Sequence, residues 1–248
     1  MSPEQAPLTE ADRAALAHTV LDFQRLEEQF ENLEQQQHAA AFGMWLFLAT
    51  EVMFFGALFL AVGAYHHMYT EAVEKASEKL NWLIGGVNTL VLLVSSLMMA
   101  LAVRYARLGR RKALTLFLAL TALLGVGFMV LKGVEYYTDY EENLIPGCRF
   151  DESEWIEKEG LRPDQVPHVK LFLLLYWIMT GVHGLHVTIG IAIVLIVAWL
   201  AWKGTFNVEY NAPVEVVGLY WHFVDTVWIF LLPMLYLLGT HTLYPTAS

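Results

Sequence analysis

The chain has 248 residues, of which 56% are apolar or aromatic and 16% are charged, against roughly 45–50% and 25% in soluble domains. A formal net charge of −10 argues against a nucleic-acid partner, which needs clustered Lys and Arg to neutralise phosphate. Cys148 is the single cysteine, so an intrachain disulfide and any CxxC zinc or haem-attachment motif are excluded.

Residues 1–37 are polar and acidic with no apolar core, unlike a cleavable signal peptide. Within residues 9–37, Leu16, Val20, Phe23, Phe30 and Leu33 recur at near-helical spacing among Glu and Gln. That pattern predicts an amphipathic helix over a segment 1–38, on the cytoplasmic side. Its acidic polar face suits a partner subunit better than an anionic lipid surface.

A spanning helix needs about 20 mostly apolar residues. Five blocks satisfy this, over about residues 39–65, 81–103, 113–134, 170–202 and 213–239. The expected fold is therefore all-α, a five-helix integral membrane bundle over residues 39–240. Trp82, Tyr105, Trp199, Trp202, Tyr220 and Tyr236 lie near block ends, where aromatic belts form. Arg104, Arg107, Arg110, Arg111 and Lys112 make the densest basic run and fall in the short second loop. By the positive-inside rule that loop is cytoplasmic, with the N-terminus; the C-terminus and the loop 135–169 are external. This loop carries Glu141, Glu142, Asp151, Glu152, Glu154, Glu157 and Glu159. Such a run is ordinarily a solvated loop; the sharper reading is a patch that steers a basic electron-carrier protein.

An ionisable group inside a span costs at least about 2.5–3.5 kcal/mol on insertion scales, so each needs a reason. Glu51 sits about a dozen residues into the first block, near mid-bilayer at 1.5 Å rise per residue. It reads either as a neutral Glu tying two helices together or as a proton-antenna or regulatory carboxyl beside a redox subunit. Asn81, Asn88 and Ser95 repeat every seven residues in the second block, near Gly85, Thr89 and Ser96, a packing face rather than a pore. Lys132 and Glu135, three residues apart at the end of the third, can pair or snorkel.

The fourth block holds His183 and His186, and the fifth His222 and Asp225. Each pair shares a helix face at i and i+3. Three His and one Asp can in principle bind a metal, but no Glu-x-x-His pair of the di-iron kind is present. Interhelical hydrogen bonding, with Gly181, Gly184 and Gly190 allowing close approach, is the better account.

Five stretches in order resemble cytochrome c oxidase subunit III. They are Gly43–Phe47 with Thr50–Gly56, Asn88–Leu90, Glu135–Tyr137, Gly181–Val187 and Tyr220–Asp225. The resemblance implies an accessory subunit of a proton-pumping haem–copper terminal oxidase, in the five-helix bacterial form, in a bacterial cytoplasmic membrane. It implies a subunit non-catalytic by itself, with no redox centre and no bound metal. The haems and copper belong to partner subunits I and II. Other implied partners are phospholipid and, indirectly, cytochrome c, with a respiratory supercomplex as the larger assembly such a subunit can join. Glu51 aligns with the family's buried carbodiimide-reactive glutamate and Phe47 with an aromatic residue that contacts lipid. Glu135, His183, His186, His222 and Asp225 carry over as structural or lipid-facing polar residues. The two extra N-terminal helices of seven-helix members have no counterpart here. Alternatives are a quinol oxidase or nitric-oxide-reductase-associated subunit III, or a stand-alone membrane carrier or metalloenzyme. A carrier would show repeat symmetry or helices broken at the midplane, and Pro233 is the one candidate break.

Overall fold

A computed structural model describes residues 29–146, 150, 152–157, 159–208 and 210–239. The described residues form seven helices: α1 (Leu33–Met68), α2 (Thr70–Glu78), α3 (Trp82–Arg107), α4 (Arg111–Glu141), α5 (Glu152–Glu157), α6 (Val166–Lys203) and α7 (Ala212–Tyr236). Five of them (α1, α3, α4, α6 and α7) are long and apolar enough to cross a membrane. Most of the expected amphipathic segment falls outside the described residues.

Contacts divide the chain into two compact units, Met1–Leu46 and Phe47–Ser248. In the described part of the first, Asn32 starts α1. Its Oδ1 accepts the Gln35 backbone N–H at 2.8 Å, while Gln35 Oε1 accepts that of Glu31 at 2.8 Å. The first bond satisfies a backbone donor that the first helical turn leaves open, and the second ties the residue before Asn32 to that turn.

In the second unit α3 packs on α4, α4 on α6, α6 on α7 and α7 back on α3, which closes a four-helix ring. Trp221 of α7 keys this ring together. It is 1% exposed, and its indole N–H donates to Ser95 Oγ on α3 at 2.8 Å. A Cβ placed on Gly125 of α4 would lie 2.8 Å from its ring, and one on Gly190 of α6 would lie 3.1 Å away. Two glycines thus form the notch that holds the indole. Of the three α6 glycines expected to permit close approach, Gly190 meets α7, Gly184 only reaches Met129, and Gly181 faces open space.

The connections sort charge to opposite ends of the ring. At one end Arg107 pairs with Glu215 at 2.7 Å. There Arg111 Nε also donates to the Ala201 carbonyl at 3.1 Å, closing the α6 C-terminus that Gly204 ends with a left-handed φ of 88°. At the other end lie α2 and α5, neither resolved by hydropathy. Ser77 of α2 donates to the Leu235 carbonyl, Lys79 pairs with Glu159 at 2.6 Å, and Lys170 pairs with Glu152. The loop expected over 135–169 is shorter in fact: α4 runs to Glu141 and α6 starts at Val166. Polar Glu135 and Asp139 continue α4 because the bundle, not lipid, surrounds them. Tyr220 and Tyr236, placed by sequence in the aromatic belt, are buried. Pro233 lies within α7 without interrupting it.

Gly125→Val should push Trp221 out of its notch and break the Ser95 bond, at about 1–3 kcal/mol for overpacking. Gly127→Val, with nothing within 4 Å of its Cβ, should be nearly neutral. Thermal unfolding in mild detergent distinguishes the two; equal effects would mean the notch does not organise the bundle.

Candidate functional site

Phe47, Glu51 and Phe55 recur every four residues and so line one stripe of α1. The stripe faces α6 and α7. Glu51 Oε2 lies 3.3 Å from His186 Nε2, with both side chains largely buried. The Phe47 ring is 6.2 Å from that of Tyr220, and Phe55 meets His186 edge-on at 5.4 Å. Tyr220 in turn donates its hydroxyl hydrogen to the His186 carbonyl at 3.0 Å. Aromatic rings therefore wall the Glu51–His186 contact on both sides.

The other ring nitrogen fixes the tautomer. His186 Nδ1 is 2.9 Å from the Val182 carbonyl oxygen, which can only accept, so Nδ1 carries hydrogen. Nε2 then faces Glu51 Oε2, so the contact joins α1 to α6 through one carboxyl group and one imidazole nitrogen.

The remaining histidines take different partners. His183 is fully buried; its ring stacks on Trp228 at 5.2 Å and meets the edge of Phe128 at 5.8 Å. Neither of its nitrogens has a hydrogen-bond partner among the described residues. His222 Nδ1 pairs with Ser96 Oγ at 2.7 Å. Asp225 is buried close to Ser96, but neither carboxyl oxygen reaches hydrogen-bonding geometry with a described residue. The paired faces predicted at i and i+3 therefore do not converge. Among the described residues no three His, Cys, Asp or Glu side chains gather as a metal site.

Glu135 enters a second polar cluster that sequence reading found only in part. Lys132, 3% exposed, does not snorkel: its Nζ lies 3.1 Å from Glu135 Oε2 and donates to the hydroxyls of Tyr176 and Tyr236. The Glu135 contact is a charge contact rather than an aligned hydrogen bond. Four rings, Tyr136, Tyr176, Trp228 and Tyr236, surround the ammonium at 5.1–5.3 Å, a cation–π cage. Asp139 joins through Tyr176 at 2.9 Å. Asp139 shares a face with Lys132 and Glu135 at i, i+3 and i+7, which was a usable signal. Tyr176 and Tyr236 lie on other helices and gave none.

Residues 170–240 match the family described as Cytochrome c oxidase subunit III. The chain is 31% identical over 199 residues to a probable quinol oxidase subunit 3 of Staphylococcus haemolyticus, covering 79% of this chain and 88% of the relative. It is 31% identical over 198 residues to a cytochrome c oxidase subunit 3 of Synechocystis, covering 79% and 75%. A cytochrome bo(3) ubiquinol oxidase subunit 3 of Pseudomonas aeruginosa is 29% identical over 199 residues, covering 80% and 84%.

Glu51→Ala and His186→Ala should each destabilise the chain, and together by less than their sum. The coupling expected for one partly buried polar contact of this kind is about 1 kcal/mol. A thermal double-mutant cycle with strictly additive effects would show that the link contributes nothing.

Proposed function

The chain belongs to the cytochrome c oxidase subunit III family of haem–copper oxidases, and we propose that it is the accessory subunit of a proton-pumping terminal oxidase whose donor is cytochrome c. It is a multi-pass bacterial membrane protein that assembles with other oxidase subunits. The observation that carries the reading is similarity across four-fifths of the chain to subunit 3 of both cytochrome c and quinol oxidases.

In this reading the chain does no redox chemistry and supports subunit I. The haems and copper sit in subunits I and II, and Glu51, held against His186, is the buried carboxyl beside them that serves as a proton antenna or regulatory group. The histidines' separate partners favour packing roles over ligation. An apolar groove of about 230 Å³, lined by Val52, Phe55, Phe59, Phe223, Val227 and Phe230 among others, suits a phospholipid acyl chain. The arginine-bearing end is the cytoplasmic one, which turns the acidic α2–α5 end outward. The donor assignment rests on that acidic end, complementary to a basic carrier, although Glu152 and Glu159 already hold lysines. The second reading, a quinol oxidase, is favoured by the names of the Staphylococcus and Pseudomonas relatives.

Purification through a tag on this chain in mild detergent should recover a haem-bearing subunit with oxygen-consuming activity and a reduced-minus-oxidised haem spectrum. Oxidation of reduced cytochrome c, slowed by added salt, would support the first reading. Turnover with quinol alone would replace it by the second. A colourless chain recovered alone would remove both.

A further inference from the structure

The Lys132 cluster has no part in that function, and its hydrogens can be counted. The lysine ammonium offers three: two go to the hydroxyls of Tyr176, at 3.3 Å, and Tyr236, while Glu135 Oε2 stands 3.1 Å away as a charge contact. Tyr236 gives its one hydroxyl hydrogen to Glu135 Oε1 at 2.6 Å. Tyr176 also has one, with two carboxyl acceptors in reach: Asp139 Oδ2 at 2.9 Å and Glu135 Oε1 at 3.2 Å. Both hydroxyl hydrogens and two of the three ammonium hydrogens are placed, yet one cation faces two carboxyl groups. With both ionised, the cluster carries one uncompensated negative charge inside protein, which is costly.

The cluster is not sealed from water. Glu135 and Asp139, 1% and 3% exposed, line a cavity of about 260 Å³ with Glu78, Lys79, Asn81 and Glu142. Glu78, Lys79 and Glu142 also line an adjoining cavity of about 550 Å³ at the α2–α5 end. Water can therefore reach the carboxyl groups from that end, while Tyr176, Tyr236 and the Lys132 cage stand on the inner side. The charged and titratable groups facing Asp139 are Lys132 and Glu135 on its own helix, Glu142 just past the end of that helix, Tyr176 on α6, Tyr236 on α7, Glu78 at the end of α2 and Lys79 next to it; His183 lies beyond Lys132.

The geometry points to a binding site for one exchangeable proton at Asp139, loaded from water through the α2–α5 cavity and sensed by the Tyr176 hydroxyl. Hydronium in the cavity gives its proton to the Asp139 carboxylate, leaving water and a neutral carboxyl group. The protonated Asp139 now donates to the Tyr176 oxygen. The Tyr176 hydrogen turns to Glu135 Oε1, its second acceptor. One hydroxyl rotation thus carries the loading event to the Lys132–Glu135 pair between α4, α6 and α7. Nothing in this depends on the identity of the electron donor or on which subunits accompany the chain.

The test uses the full chain, with whatever subunits accompany it, in lipid nanodiscs on an infrared cell perfused alternately with mildly acidic and mildly alkaline buffer. The wild type should show a protonated-carboxyl band that appears in acid and moves in heavy water. Asp139→Asn should abolish it. Tyr176→Phe should keep the band but shift it to higher frequency, since its hydrogen-bond partner is gone; this variant serves if Asp139→Asn fails to fold. Replacing choline by sodium at fixed pH should leave the band unchanged. No titrating band in the wild type, a band unaltered in both variants, or a band erased by sodium would each overturn the proposal, the last by making the cavity a metal-cation site.

Discussion

The bundle depends on one indole. Trp221 fills the space over Gly125 and Gly190 and holds Ser95 by its N–H, so a single α7 side chain fixes α3, α4 and α6. Lipid supplies no hydrophobic drive between helices, so packing of this kind must hold them. A flat ring meeting two bare backbones gives extensive dispersion contact. The Ser95 bond satisfies the one polar atom that burial would otherwise strand. Similar notches set α3 against α7, where a Cβ on Gly85 or Gly218 would fall 2.8 Å from Leu232 or Val103.

Polar groups placed inside this frame meet burial in three ways. Glu51 and His186 meet at 3.3 Å across a helix gap. His183 has no hydrogen-bond partner and lies against aromatic faces instead. Lys132 combines a carboxylate, two hydroxyls and a ring cage. An ammonium at membrane depth is among the most expensive groups to insert, and no single partner here would offset that cost. The combination does so only because three helices converge on it.

α1 differs from the ring. It makes little close backbone packing with the other spanning helices and reaches them largely through long side chains: Glu51 to His186, Phe55 to Phe223 at 6.2 Å, Phe59 to Phe230 at 6.2 Å and Tyr65 to His168 at 2.8 Å. Large aromatics act as spacers, and the apolar groove lies among them. Met53 and Leu60 on its other faces are exposed, as expected of a helix that meets lipid or another subunit.

By itself the sequence determined that the chain carries five helices long and apolar enough to cross a membrane, because hydropathy over some twenty residues reports transfer to lipid whatever the neighbours are. It also singled out the residues whose burial needs a reason, and ordered motifs pointed to the family. It did not reveal α2 or α5, whose mixed composition resembles a loop until they dock on α6 and α7. Nor could i and i+3 spacing say which histidine meets which partner, since spacing defines a face but not what stands opposite. His186 meets Glu51 and His222 meets Ser96 only through the depth and rotation of each helix. Lys132 was legible as a pairing or snorkelling residue, and its direction was decided by Tyr176 and Tyr236, 44 and 104 residues away. Those pairings belong to the tertiary structure, because only packing sets the rotation of one helix against another.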